Sequence, residues 1–310
     1  MTGHVRTDDG RTRHYGHFYG LSDLPDGDIA IVLGNCQAES IRIMLDGGGL
    51  STVRIPPVHE IEHNDLPHLD RLLKRTALLV SQPIRDDYRG LPLGVRQVSA
   101  RLPASSRTAL VPVVRFAGLY PTHAIIRPPS DTSLTPPVVE YHDLATLTEA
   151  ADRLHNRPTV HREVTIEMVR AIAELSLTEL RKREIHHKTV TVSDLFASPS
   201  FDQMRTINHP GNTIWVHIAQ RLRQHLGLPE HEVSLNRPLL NSVHAPRTEA
   251  VINTFGLSDQ PTDFWRVNGI EISAAEVRET HLEWYAANPD VIDAGLTRHH
   301  TALGHLGLLS

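Results

Sequence analysis

A continuous apolar run opens the patterned part of the chain. Residues 29–33 are all apolar, and three of them are β-branched. Such a run without polar alternation is typical of a strand that is buried on both faces of a parallel sheet. A short turn at 34–37 follows, and residues 38–45 place apolar side chains on one helical face before three glycines at 47–49. Strand, turn, helix and glycine stop together predict the start of a βαβ unit.

The alternation continues along the next part of the chain. Residues 50–55 predict a second strand, 66–75 a helix and 76–80 a third strand. A fourth apolar segment, 109–114, contains Pro112, which predicts an edge strand or an irregular one because proline has no N–H to donate. Alternating strands and helices predict an α/β fold, with a mostly parallel sheet that is covered by helices on both faces.

The second half of the chain has helical periodicity. Residues 166–187 carry apolar side chains at helical spacing, and residues 213–226 form an amphipathic pattern that ends at Gly227. A break at Asn208-His209-Pro210-Gly211-Asn212 separates these segments. We predict three parts: a flexible N-terminal lead-in over 1–27, an α/β core over 28–143, and a helix-rich part over 144–310 that packs on the same core.

Composition excludes several classes of protein. Apolar residues make up 40% and charged residues 22% of the 310 residues, as in an ordinary globular protein. The net charge of −5 comes from 31 basic and 36 acidic residues mixed along the chain, which argues against a nucleic-acid partner. No apolar run approaches the roughly 20 residues that a membrane span needs. A single cysteine and the absence of a secretory signal predict a soluble protein of the cytoplasm.

Cys36 is the first candidate for chemistry. It follows the first predicted strand and begins the first predicted helix, where helix amides favour the reactive thiolate form. Gly34 permits a sharp turn that exposes a nucleophile, and amides of the turn can donate to an oxyanion. The alternative is a small buried cysteine that only fills space.

Gln82 follows the third predicted strand, just as Cys36 follows the first. Sites in parallel sheets form at the carboxyl ends of the strands, so both residues are expected to face one crevice. Arg85 and Arg89 come shortly afterwards and are suited to hold phosphates or a sugar acid. The alternative, and the commoner use of such residues, is an exposed, charged helix face.

One metal-binding motif competes with this interpretation. Residues 59–63 read His-Glu-Ile-Glu-His, the pattern in which two histidines on one helix bind zinc. Prolines at 56, 57 and 67 restrict the helix that such a site requires. The chain also has 21 histidines, which raises the frequency of chance matches. We therefore expect no metal here.

Several of these motifs together resemble one known family. The chain is similar to the WcbI-type capsular polysaccharide biosynthesis family over roughly residues 28–226. The similarity is carried by GNCQ within residues 31–41, SQPI at 81–84, NHPGN at 208–212, and the segments 180–184 and 192–194.

The resemblance implies a fold related to the SGNH (GDSL-type) hydrolases, with added helices. It also implies binding of coenzyme A (CoA) and acetyl transfer to a sugar. Cys36 takes the place of the nucleophilic serine, and His209 is the base. The Asp-x-x-His spacing of the SGNH enzymes is absent because Thr206 stands three residues before His209. Asp202 and Glu184 are candidates for the acid that orients His209.

These assignments give a coherent mechanism. A thiolate attacks an acyl thioester, and an acceptor hydroxyl or amine then resolves the acyl-enzyme. We predict the oxyanion or substrate-binding groups to be Gly34, Asn35, Gln37 and Gln82. We predict the CoA-binding residues to be Arg85, Arg89, Asn208 and Asn212. The alternative for Asn212 is to cap the following helix, which is the commoner use of asparagine at such a position.

The leading functional hypothesis is therefore a CoA-dependent acyltransferase that acts on a carbohydrate or another polar natural-product acceptor. The first alternative is an SGNH-like thioesterase or esterase that releases the acyl group to water. The second is a non-catalytic protein that binds CoA or a nucleotide. Acetyl-CoA is the expected co-substrate, and the acceptor is expected to be a small molecule.

Overall fold

The computed structural model describes residues 10–128, 130–159 and 162–309. Their strands, in chain order, are β1 (Ile29–Leu33), β2 (Ser51–Val53), β3 (Thr76–Ser81), β4 (Arg107–Leu110), β5 (His123–Ala124), β6 (His142–Asp143), β7 (Met204–Thr206), β8 (His209–Pro210), β9 (Val243–His244), β10 (Phe264–Val267) and β11 (Ile270–Ser273).

The α-helices of the same residues are α1 (Gly10–His14), α2 (Gly16–Tyr19), α3 (Gln37–Leu45), α4 (Leu66–Leu73), α5 (Val95–Ser99), α6 (Leu144–Leu154), α7 (Ile166–His187), α8 (Asn212–His225), α9 (Glu249–Phe255), α10 (Ala274–Ala287), α11 (Pro289–Arg298) and α12 (His300–His305). None of them is both long and apolar enough to cross a membrane.

The described chain divides into two compact units. Unit 1 comprises the described residues of 1–113, 183–192 and 214–239, and unit 2 those of 114–182, 193–213 and 240–310. The three parts predicted from the sequence, with boundaries at residues 27 and 143, stay a prediction.

Unit 1 contains a parallel sheet. Its strand order is β2-β1-β3-β4, and each neighbouring pair is parallel. Helices surround this sheet, and a helix-rich remainder follows it in the chain. The predicted α/β fold class is thereby confirmed.

The central strand β1 explains why the first apolar run is continuous. All five of its side chains are buried. Ile29, Ile31 and Leu33 join one hydrophobic cluster with Phe18 of α2 and residues of α4, namely Leu69, Leu72 and Leu73. Side chains alternate along a strand, so Ala30 and Val32 point to the opposite face. Because these two are buried as well, both faces of β1 are covered.

Two segments of unit 1 differ from the expectation. The fourth strand, predicted over 109–114, is β4 at 107–110, and it ends before Pro112. Its first two residues are exposed at the sheet edge, so they lack the apolar pattern that marks the other strands. The lead-in predicted to be flexible contains α1 and α2 in its described part, residues 10–27, and Phe18 there is fully buried.

Unit 2 combines helices with small antiparallel sheets. Its core joins α6, α10, α11 and α12 through a cluster that includes Leu147, Tyr285, Ile292 and Leu303. Strands β9, β10 and β11 form an antiparallel sheet, and β7 pairs with β8 in a ribbon that carries the Asn-His-Pro motif. The strands of two to four residues are too short to produce a recognisable period in the sequence.

Candidate active site

Cys36 lies between the end of β1 and the start of α3. It occupies the N-cap position of α3, with φ −54° and ψ −23°, and it is half-buried. A side chain at this position lies beside the positive end of the helix dipole, which favours a thiolate over a thiol. The predicted arrangement of strand, turn and helix around the thiol is therefore confirmed.

The turn around Cys36 is held by the side chain of Gln82. Gln82 Oε1 accepts a hydrogen bond from the Asn35 amide at 2.8 Å, and Gln82 Nε2 donates to Gln37 Oε1 at 3.2 Å. The Gln82 backbone amide donates to the Leu33 carbonyl at 2.9 Å. Gln37 is fully buried and Gln82 is 2% exposed. These bonds bring Gly34, Asn35, Gln37 and Gln82 together around the turn, and their role in binding the oxyanion or the substrate stays a prediction.

Glycine is required at position 34 because the side-chain amide of Gln82 lies very close to its Cα atom. A Cβ atom at this position would lie 2.5 Å from Gln82 Oε1 and 2.8 Å from Gln82 Cδ. Any larger residue would therefore displace the glutamine amide. The Gly34 carbonyl also accepts from the Val58 amide at 2.7 Å, which ties the turn to the next connection.

Several backbone N–H groups of the turn already donate hydrogen bonds within the protein. The Gln37 amide donates to Asn35 Oδ1 at 2.9 Å, and the Ala38 amide donates to the Asn35 carbonyl at 2.9 Å. The Asn35 amide is bonded to Gln82. Since Asn35 Oδ1 faces the helix start, its Nδ2 group is the end of the side chain that has no acceptor among the described residues.

Unit 1 contains a cleft of about 830 Å³ beside this turn. Asn35 is the residue that the turn contributes to its wall, together with Gln82. Arg85 also lines it, and so does Arg96, which forms an ion pair with Asp86. The remaining lining residues are Val58, Pro83, Ile84, Asp86, Tyr88, Val95, Leu110, Val113 and His187.

The two arginines predicted for CoA differ in their placement. Arg85 is exposed and lines the cleft. Arg89 instead donates to the His59 carbonyl at 2.9 Å and is not part of the lining. Sequence reasoning missed Arg96 and His187, because they come from a separate helix and from a distant segment of the chain. Their only sequence signal is residue type.

The His-Glu-Ile-Glu-His motif does not lie on one helix. It spans two short 3-10 turns, Val58–Glu60 and His63–Asp65. His59 Nε2 lies 3.9 Å from Glu60 Oε1. Within the part of the chain that the structure describes, no group of three or more potential ligands is placed to hold a metal.

His209 lies in unit 2, on the short strand β8. Its ring meets Tyr141 edge-on, with ring centroids 6.0 Å apart. Its Nδ1 atom is buried and has no hydrogen-bond partner in the described ranges. Burial lowers the pKa of His209 to about 4, while the negative charge of Glu140 acts in the opposite direction. The imidazole is therefore neutral near pH 7, the form that accepts a proton.

The residues around His209 are tied to Tyr141. Asn208 Oδ1 accepts from the Tyr141 hydroxyl at 2.7 Å and from Thr206 Oγ1 at 3.2 Å. Asn212 is the first residue of α8. Its two suggested roles, in capping and in ligand binding, stay predictions.

The acid that orients His209 also stays a prediction. Asp202 is exposed and bonded by the hydroxyl of Ser200. Glu184, in unit 1, accepts from the Val192 amide at 2.7 Å. Glu140 is the carboxylate whose charge acts on His209, and sequence reasoning missed it. Cys36 belongs to unit 1 and His209 to unit 2, so their pairing as a dyad stays a prediction as well.

The model of the WcbI polysaccharide biosynthesis enzyme family matches residues 29–231, a range that contains both the Cys36 turn and the Asn-His-Pro motif. The chain belongs to the WcbI family. No curated protein sequence matches it significantly.

A solved WcbI structure is similar to the chain, with a TM-score of 0.72 and 18% identity over 91% of this chain and 98% of that one. It is the native form of a novel polysaccharide biosynthesis enzyme, without a disulfide bond between CoA and a cysteine. At this identity the likeness shows a shared WcbI fold.

Proposed function

We propose that this WcbI-family chain is a CoA-dependent acyltransferase with Cys36 as the nucleophile. The observation that carries the proposal is the position of Cys36, at the carboxyl end of β1 and the N-terminus of α3, next to a residue that lines the cleft. Acetyl is the proposed acyl group, and a carbohydrate or another polar molecule is the proposed acceptor. We propose a reducing compartment, the cytoplasm, as the location.

In the first half-reaction, Cys36 Sγ attacks the carbonyl carbon of the thioester. A sulfur–carbon bond forms, the bond to the CoA sulfur breaks, and CoA leaves as a thiolate that takes up a proton. The negative charge on the carbonyl oxygen needs a donor. Asn35 is the proposed donor. Its Oδ1 accepts from the backbone N–H of Gln37, while its Nδ2 group has no acceptor in the described ranges.

In the second half-reaction, an acceptor hydroxyl or amine attacks the acyl-cysteine, and the Cys36 thiolate leaves. The acceptor must lose a proton, and His209 is the proposed base. Its lowered pKa keeps the imidazole neutral near pH 7, the form that accepts a proton, and at the same time makes it a weaker base than an ordinary histidine. The resulting imidazolium can then protonate the departing sulfur.

The charge of the cleft supports a phosphorylated acyl donor. Arg85 and Arg96 line it, against the single acid Asp86. Arginine guanidinium groups are well suited to bind phosphate oxygens. The CoA link of the related WcbI structure supports the same donor. A relation to the SGNH hydrolases remains part of the proposal, supported by the nucleophile that follows β1 of a parallel sheet.

The test uses thiol modification in the presence of the donor. We expect iodoacetamide to alkylate Cys36 near neutral pH, and acetyl-CoA to transfer an acetyl group that intact-mass spectrometry detects as a gain of one acetyl on the wild type. Cys36→Ala should show neither change. Arg85→Gln should require more acetyl-CoA for half-maximal labelling, whereas Arg101→Gln, paired with Asp70, is the control.

Absence of both labelling and a thermal shift at millimolar acetyl-CoA would contradict the proposal. Acetylation of Cys36 that decays in water as fast with sugars as without them would favour the hydrolase instead. Binding of CoA without any acetyl-enzyme would favour a non-catalytic role.

A further inference from the structure

The side chain of Gln82 can either hold the turn around Cys36 or donate to the oxyanion, and its contacts in the structure favour the first role. We propose that Gln82 is a positioning residue, which fixes the turn that holds Cys36, rather than a donor to the oxyanion. The inference rests on the proposed function, because it takes Cys36 as the nucleophile. According to this inference, the side-chain amide of Gln82 bonds to groups of the protein and does not contact the substrate.

Both ends of the Gln82 side-chain amide are engaged within the protein. Its Oε1 atom faces the backbone N–H of Asn35. Because this N–H can only donate, the atom of the Gln82 side-chain amide that faces it must be the oxygen. Its Nε2 atom then faces Gln37 Oε1 at 3.2 Å. One Nε2 hydrogen remains, and direct donation to the substrate would have to use it.

Burial favours the positioning role. Gln82 is 2% exposed although it contributes to the wall of the cleft, and its partner Gln37 is completely buried. Asn35, in contrast, is half-buried and lines the same cleft. The absence of a side chain at Gly34 makes room for the glutamine amide.

The bonds of Gln82 join three elements. Its backbone amide reaches the end of β1 at Leu33, and its own residue follows β3. Its side chain reaches residues 35 and 37, on either side of Cys36. The nucleophile is therefore held between two residues that are both bonded to Gln82. Loss of the amide should loosen the start of α3 and weaken the support that the helix gives to a thiolate.

The test compares Gln82→Met, of similar length and unable to form either bond, with Gln97→Met. Gln97 also bridges backbone groups, at Asp87 and Gly94, but away from the turn. In Gln82→Met we expect the alkylation rate of Cys36 at pH 7 to fall about tenfold, as for a thiol pKa raised by one unit. Gln97→Met should keep the wild-type rate. This assay needs neither CoA nor acyl transfer.

Hydrogen exchange provides a second measurement. Exchange of the Asn35 amide should accelerate about tenfold or more in Gln82→Met while the amides of β3 keep their protection. Gln82→Glu should restore protection, because a carboxyl oxygen still accepts from that amide. If Gln82→Met does not fold, Gln37→Met, which removes the 3.2 Å bond, should change the alkylation rate in the same direction.

A folded Gln82→Met with the wild-type alkylation profile and wild-type Asn35 exchange, but without acyl transfer, would overturn the inference in favour of direct donation. A wild-type Cys36 that does not react with iodoacetamide would instead count against the proposed function. In that case the exchange of the Asn35 amide still decides the role of Gln82.

Discussion

Cys36 and His209 depend on different local features for their reactivity. The thiol is at the start of a helix, where amide dipoles favour the anion. The imidazole is half-buried and packs against Tyr141, and its pKa of about 4 keeps it uncharged near pH 7. A thiolate–imidazolium ion pair is therefore not the resting form that these environments favour. We infer that the helix activates the thiol and that the imidazole acts mainly on the acceptor.

These two roles give a prediction for the proposed dyad of Cys36 and His209. Cys36→Ala and His209→Ala should each abolish most acyl transfer, and the double variant should be no worse than Cys36→Ala, because groups that act as one unit lose activity non-additively. The measurement is kcat/KM for acetyl transfer. His299→Ala, which removes another half-buried histidine of unit 2, is the control and should retain activity. Losses that simply multiply would contradict a joint role.

A second prediction at this scale concerns Gly34. Gly34→Ala would place a methyl group 2.5 Å from Gln82 Oε1. We expect the free energy of unfolding, measured with urea, to fall by about 1–3 kcal/mol, as is typical of overpacking in a tight site. Gly10→Ala is the control, since nothing lies within 4 Å of a Cβ there. Equal stability of both variants would show that the turn adapts freely.

Among the elements, α8 is joined to the end of α3 by one buried side chain. Arg223 on α8 is 2% exposed. Its guanidinium donates to the carbonyls of Leu45 at 2.9 Å, Pro229 at 2.8 Å and Gly47. The last carbonyls of a helix have no partner within it, so Arg223 satisfies groups that α3 leaves open.

Replacement of this residue should therefore destabilise unit 1. Arg223→Met keeps much of the length of the side chain but removes the donors, which leaves buried carbonyls unpaired. We expect urea unfolding to show a loss of about 2–4 kcal/mol, because each unsatisfied buried group is costly. Gln224→Met, at the next and exposed position of α8, should be nearly neutral. A wild-type stability for Arg223→Met would mean that water replaces the guanidinium without penalty.

The elements also show how far the sequence alone could predict this fold. Strand β1 was predicted from its continuous apolar run and helix α7 from its helical periodicity, and both are local features of the sequence. The contact of Gln82 with Asn35 joins residues 47 positions apart. No local pattern specifies which end of its amide faces the turn. Likewise, no feature near Arg89 indicates that its partner is the His59 carbonyl. The approximate site was predictable, but the roles of its amides were not.

For the molecule as a whole, the important consequence of its composition is the burial of histidine. The chain has 21 histidines. Burial lowers the pKa of His123 to about 4 and that of His142 to about 3. His209 has a pKa of about 4 for the same reason. All three belong to unit 2, so this unit should be sensitive to acid.

The direction of this effect follows from proton binding. In the unfolded chain a histidine has a pKa of about 6.5, so below that pH it binds a proton that the folded, buried residue does not. Stability should be complete above about pH 6.5 and should fall as the pH decreases toward about 4. One such residue contributes up to about 2 kcal/mol between pH 7 and pH 5.

His123 offers the sharpest test. Its ring stacks on Trp265 with centroids 4.8 Å apart, and its Nδ1 atom has no hydrogen-bond partner in the described ranges. Phenylalanine keeps the stack and cannot titrate. We therefore expect His123→Phe to lose less stability than the wild type between pH 7 and pH 5 in urea unfolding, although Asp143, which raises the pKa of His123, reduces the difference. His217→Gln, at an exposed position of unit 1, is the matched control. If His123→Phe has the same acid sensitivity as the wild type, proton uptake by His123 on unfolding does not contribute to it.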